Sequence, residues 1–318
     1  MSGPLEGLRV LDIATIIAGP SAASLLADFG ADVLKVELPG RGDGARSFPP
    51  IKEGKPLWWK VTNRGKQFMT LDMRKPEGAR LLLQMLPEFD VLVENFRPGT
   101  LDRWGLDKTA LWAANPHLTI LRVTGFGQDG PYRDRPGFAR MFEAMGGLTH
   151  ITGDADGEPM HPGYPVADNV GGLFGVIGIL AALFHRSRHP DSPGEEIDLA
   201  LTEATMKLLE FLPIEYQQTG AVRGRSGNAN QYASPAAVFK TKDDRWVTLA
   251  GSTNALFVAN CHAISRADLI EEPKFATNDL RVNHATELNA VFEGWFADHD
   301  CDHALRVFAS AGGTVAAI

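Results

Sequence analysis

The sequence predicts an α/β protein, a mostly parallel sheet with helices on its faces, followed by a smaller α+β unit. Three observations predict it. Short apolar runs alternate with helix-forming stretches over the first 125 residues. A polar, glycine-containing stretch at 223–235 interrupts that pattern, and the residues beyond it have a different order of elements. The 318 residues are enough for about two domains at roughly 150 residues each. The expected division is 1–222, a linker at 223–235, and 236–318.

The elements come in order along the chain. Residues 8–13 read as the first strand. Gly19-Pro20-Ser21 then breaks the chain, and 22–29 reads as a helix capped by Ser21 and stopped by Gly30. Residues 32–37 form the next strand and 39–44 a glycine-rich loop. A helix over 76–86 carries proline in its first turn. Strands at 89–94 and 118–124 flank a helix at 107–115. Residues 125–165 read as loop, 171–186 as an apolar helix and 197–212 as a second helix. Past the linker, strands at 237–239 and 245–250 surround an Asp243-Asp244 turn, with helices at 255–264, 286–298 and 302–311.

Composition narrows the function. Apolar residues at 44% and charged residues at 22% exclude a disordered or collagen-like chain. With 31 basic and 39 acidic residues the net charge is −8, and no long basic block occurs, which argues against a nucleic-acid partner. Met1-Ser2-Gly3-Pro4-Leu5-Glu6 lacks a signal-peptide pattern. The longest apolar run, 170–184, falls short of the roughly 20 residues that cross a bilayer, so no membrane partner is expected. Cys261 and Cys301 are too few for a disulfide framework and fit a reducing cytoplasm or two small buried side chains. The nine histidines show no metal-ligand spacing, and no metal is expected.

Two clusters suggest chemistry. Asp168 stands just ahead of Gly171-Gly172 and the apolar helix. Amide groups at a helix start favour a carboxylate there. Such a residue reads either as an ordinary N-cap or as a nucleophile with an oxyanion site nearby. The second cluster is basic: Leu71-Asp72-Met73-Arg74 before a helix, then Asn95-Phe96-Arg97 after a strand, with Arg103 beyond. Ligands of parallel α/β sheets bind outside the carboxyl ends of strands, and arginines there suit phosphate. Scattered solvated charge explains the same residues. The 40–44 loop lacks a dinucleotide fingerprint, which disfavours a nicotinamide dehydrogenase. Phe138, Met141, Phe142 and Met145 read either as core or as the wall of a pocket.

Taken in order, these motifs resemble the class III CoA-transferases, the CaiB/BaiF family. The matching stretches are 8–20 (Leu-Arg-Val-Leu-Asp-Ile-Ala-Thr-Ile-Ile-Ala-Gly-Pro), 30–37, Gly42-Asp43, 71–74, 93–99 and 121–131. The resemblance implies a Rossmann-like large domain, a smaller α+β domain and an interlocked homodimer. It implies that Asp168 is the nucleophile that passes CoA from an acyl-CoA to a free carboxylic acid through aspartyl anhydride and aspartyl-CoA thioester intermediates. Leu71, Asp72, Met73, Arg74, Asn95, Phe96, Arg97 and Arg103 would contact CoA, a substrate rather than a tightly bound cofactor. Ile17, Phe138, Ala139, Gly171 and Gly172 would lie toward the acyl group.

Departures from the family pattern also count. Racemases of the family carry histidine and aspartate where this chain has Phe138-Ala139, so an acyl-CoA racemase or epimerase is the second reading. A CoA-binding protein without catalysis is the third. Ile17 stands where formyl-CoA transferases have glutamine, which disfavours formyl or oxalyl specificity. Residues 312–318 read as the middle of a chain, and the resemblance implies that a C-terminal segment returning to the large domain is missing.

Overall fold

The computed structural model describes residues 3–318; Met1 and Ser2, which begin the stretch that lacks a signal-peptide pattern, lie outside the described residues. The chain divides into two compact units, Met1–His150 with Met160–Arg223, and Ile151–Pro159 with Gly224–Ile318. The second unit therefore takes in residues 224–235 of the expected linker, together with a short excursion from the loop-rich region.

The first unit is built on six strands: β1 Arg9–Asp12, β2 Asp32–Glu37, β3 Gln67–Thr70, β4 Val91–Glu94, β5 Thr119–Thr124 and β6 Glu196–Ala200. They order as β3-β2-β1-β4-β5-β6, and every neighbouring pair is parallel. This is the doubly wound order, which reverses direction between β1 and β4. Such strands are buried on both faces, as β4 and β5 are along their whole length.

Helices α1 (Ala18–Asp28), α2 (Leu57–Thr62), α3 (Pro76–Met85), α4 (Thr100–Arg103), α5 (Lys108–Ala114), α6 (Ala139–Met145), α7 (Val166–Arg188), α8 (Leu201–Leu208) and α9 (Phe211–Thr219) complete the unit. One apolar core lies where α1 and α7 cover the sheet, around Val10, Leu26, Val93, Leu121 and Ile179. The other face buries Leu11, Leu82, Leu86, Leu92, Leu111 and Ile120 from α3 and the turn that follows it, α5 and the strands.

Several boundaries differ from the sequence reading. Helix α1 starts at Ala18 and takes in Gly19-Pro20-Ser21, with Ile17 at its N-cap and no side-chain cap. Proline is tolerated in a first helical turn because the N–H it lacks has no intrahelical partner there. The span 197–212, read as one helix, is an edge strand followed by two helices. Parallel pairing of Ile197 with Leu121 and of Leu199 with Val123 overrides the local pattern. The span 125–165 contains α6, which packs on α7 and α8.

The apolar helix α7 runs over 23 residues, longer than the sequence suggested and long enough by length and composition to cross a membrane. One face, with Gly171, Gly172, Gly175 and Ile179, is buried against the first core. Leu173, Ile177 and Phe184 on another face are exposed.

The second unit holds an antiparallel sheet of β7 (Ala236–Lys240), β8 (Trp246–Ala250) and β9 (Val315–Ala317), with β8 in the middle. Helices α10 (Asn254–Ala263), α11 (Ala285–Asp298) and α12 (Cys301–Ala311) cover it. Its core is rich in phenylalanine (Phe239, Phe257, Phe275, Phe292, Phe296, Phe308) and includes both cysteines, which are free.

Candidate active site

The loops that leave β1 and β4 diverge at the point where the strand order reverses. The first, 13–17, is held from three sides. Asn95 accepts from the Thr15 amide at 2.7 Å and donates to the Thr15 carbonyl at 2.7 Å. Asp43 accepts from the Ile16 amide at 3.1 Å. Lys35, wholly buried on β2, donates to the Ala14 carbonyl at 2.7 Å and pairs with Asp43 at 3.2 Å.

Behind these, Asp12 pairs with Lys66 at 2.8 Å. Burial pushes the Asp12 carboxyl up, but Lys35 and Lys66 together with two hydrogen bonds outweigh it and hold it below the usual range. Burial pushes Lys66 down to about 8. The held residue, Ile16, has φ 72°, a left-handed conformation that a β-branched side chain adopts only when its surroundings impose it.

Two cavities share Thr15, Ile16 and Phe96 in their walls. The first, about 250 Å³, is lined by Leu71, Asp72, Met73 and Arg74, by Arg41 to Gly44 and by Trp104. Helix α3 positions this wall through Gly78, where a Cβ would overlap the Asp72 carbonyl oxygen. The second, about 430 Å³, is lined by Ile17, Asn95, Arg97, Phe138, Met141, Phe142 and Asp168, with Arg133 and Arg135.

Asp168 occupies the third position of α7, whose N-cap is Pro165, so it is not the helix cap. Burial pushes its carboxyl up to about 7, assisted by the negative charge of Glu143. Glu143, buried on α6, accepts from the Ala167 amide at 3.2 Å and lies 3.3 Å from His161 Nδ1. A carboxylate of this basicity, in a cleft whose wall carries three arginines, can act as a nucleophile toward an acyl carbon.

The expected site residues distribute unevenly. Leu71 to Arg74 and Phe96 meet in the first cavity, while Asn95, Phe96, Arg97, Ile17, Phe138 and Asp168 meet in the second. The Asn95 side chain is committed to the Thr15 peptide. Arg103 is exposed on α4, donates to Thr100 and lines neither cavity.

Three residues expected on the acyl side, Ala139, Gly171 and Gly172, line neither cavity. Ala139 is buried in the first core, behind the wall that Phe138 and Phe142 present. Gly171 and Gly172 serve helix packing: a Cβ on Gly171 would overlap the Leu201 side chain, and one on Gly172 would meet Ala18 O at 3.3 Å. The sequence reading did not single out Ile16, Lys35, Asp43, Arg133 or Glu143 as site residues. Only the buried acids and lysines of β1 and β2, out of place in core strands, could have signalled part of this set.

Fold and site together give a doubly wound scaffold with a desolvated carboxylate, Asp168, in a cleft whose wall carries three arginines. The chain belongs to CoA-transferase family III, whose family model matches residues 5–318. It is 40% identical over 300 residues to the succinyl-CoA–D-citramalate CoA-transferase of Chloroflexus aurantiacus, covering 94% of this chain and 74% of that one. It is 44% identical over 295 residues to the beta subunit of the succinyl-CoA–L-malate CoA-transferase from the same organism, covering 92% of this chain and 72% of the relative.

A mouse succinyl-CoA:glutarate CoA-transferase is 36% identical over 310 residues, covering 97% of this chain and 70% of that protein. The crystal structure of a CAIB/BAIF family protein from Brucella suis superposes with a TM-score of 0.86 at 35% identity, over 99% of this chain and 84% of that one. The protein is thus a CoA-transferase that acts on a CoA thioester and an acid.

Proposed function

We propose that Asp168 is the covalent nucleophile and that the acids exchanged are dicarboxylic. One observation carries the first part: a desolvated carboxylate, pushed up to about 7, lines the same cleft as Phe96, which also walls the Leu71–Arg74 cavity. An acyl-CoA lying across the shared Phe96 wall would bring its thioester to Asp168.

An Asp168 oxygen attacks the thioester carbon, the C–S bond breaks, and CoA leaves as thiolate from a mixed anhydride. The thiolate attacks the aspartyl carbon and expels the donor acid, leaving an aspartyl-CoA thioester. The acceptor carboxylate attacks that carbon and releases thiolate. Thiolate attack on the acceptor acyl carbon then frees Asp168. No net proton is consumed, and one difficult exchange is divided into several easier ones.

The dicarboxylic assignment rests on the relatives named for citramalate, malate and glutarate and on Arg133 and Arg135 in the cleft wall. Arginine holds a free second carboxylate bidentately. Arg135 stacks on Tyr132 at 3.8 Å, which limits its motion. We also place Leu71 to Arg74, Phe96 and Arg97 against CoA, and take the protein to be a cytoplasmic homodimer. The racemase reading has less support, because Phe138 and Ala139 offer no proton-transfer group.

Incubation with succinyl-CoA and hydroxylamine, followed by peptide mass spectrometry, tests the nucleophile. The adduct is expected on Asp168, and an adduct elsewhere overturns the assignment. A matrix of mono- and dicarboxylic acceptors with succinyl-CoA tests the substrate class; equal rates with butyrate and L-malate would contradict it.

A further inference from the structure

Glu143 is a second buried carboxylate next to the nucleophile, and the transfer steps do not use it. Removing a carboxylate from water costs several kcal/mol unless it is paired. Its Oε1 accepts from the Ala167 amide, one of the N–H groups that a helix start leaves without a partner, one residue before Asp168. Its Oε2 lies 3.3 Å from His161 Nδ1, which is in turn 3.3 Å from Thr149 Oγ1. A glutamine would satisfy the same amide without the burial cost of a charge, so the cap alone does not explain an acid here.

The elements packed on α7 carry other charged groups: Asp28 on α1, Arg122 on β5, Arg140 on α6, Glu196 and Asp198 on β6, and Glu203 and Lys207 on α8. Arg97, Arg133 and Arg135 face the cleft. Of all these, Glu143 is the one whose charge acts on Asp168.

We propose that Glu143 is a positioning residue for the transfer reaction: its carboxylate holds the Ala167 amide, fixes the first turn of α7 that carries Asp168, and sets negative charge beside that residue. This rests on the reading of Asp168 as nucleophile. Glu143 touches neither substrate nor reacting atoms; it acts through the aspartate and through the backbone that carries it. A more basic carboxylate attacks faster once ionised, and the cost is a smaller ionised fraction at neutral pH.

The test is Glu143→Gln, which keeps the acceptor for Ala167 and removes the charge. The pH profile of kcat/KM for succinyl-CoA with L-malate as acceptor is measured, with hydroxylamine trapping on the same samples. The acid limb is expected to move down by about one pH unit, and the high-pH plateau to fall about threefold. A merely structural cap, which glutamine preserves, would leave both the limb and the plateau in place. Glu143→Met, unbranched and uncharged, serves if the glutamine variant does not fold. An adduct on Asp168 with an unmoved limb overturns the role of Glu143 alone. An adduct elsewhere overturns the nucleophile assignment and this proposal with it.

Discussion

At the scale of single residues, the site is a set of carboxylates in different environments. Asp12 is ionised between two lysines, Asp43 accepts from backbone amides and pairs with Lys35, and Asp168 is pushed up by burial and by the charge of Glu143. The last condition makes a reactive group and costs stability. Folding raises the Asp168 pKa from 3.8 to about 7, so the folded state holds its proton more tightly than the unfolded one. That contribution is fully present below pH 3.8 and is lost as pH rises through about 7.

Asp168→Asn is therefore expected to abolish transfer and to stabilise the protein at pH 8 by about 1–2 kcal/mol, read from denaturant midpoints. In the parent protein kcat/KM should rise with pH, with an acid limb near 7; a limb near 4 would contradict the desolvated carboxylate. Asn95→Ala frees the Thr15 peptide and should lower kcat/KM about tenfold, since a loosened cleft wall misplaces the thioester. Asp168 was singled out in the sequence, but its local pattern fitted an ordinary N-cap as well as a nucleophile, and it was the family resemblance that pointed to the second. Glu143 was not singled out, because it lies 25 positions upstream in a stretch with weak periodicity and matters only once α6 packs on α7.

At the scale of elements, close packing sets where the cavity walls stand. Helix α7 meets α1 through Gly172, and α3 meets the Leu71–Arg74 loop through Gly78. A methyl group at Gly78 has only backbone to displace, so Gly78→Ala should push that loop out of place. The expected result is a KM for acyl-CoA raised about tenfold or more with kcat less affected, measured by initial rates. The helices and strands with strong local patterns, such as β2, α3 and α11, could be read in advance. The edge strand β6 could not, since its five residues carry no decisive period and only pairing with β5 makes them a strand.

At the scale of the whole molecule, the homodimer proposal can be tested on α7. Leu173, Ile177, Leu180 and Phe184 recur along its exposed face at helical spacing, a stripe that a partner subunit would cover. The double variant Ile177→Glu, Phe184→Glu should sediment as a monomer where the parent sediments as a dimer; a monomeric parent would refute the homodimer. The sequence by itself determined the class of scaffold, the order of most elements, the family and the candidate nucleophile, because each rests on local periodicity or on motifs of a few adjacent residues. Only the tertiary structure decided that Gly171 and Gly172 pack helices, that Asn95 clamps the Thr15 peptide, and that Glu143 accepts from the Ala167 amide next to Asp168. Those roles depend on distances between segments far apart in the chain, and burial and charge take effect only after the segments have come together.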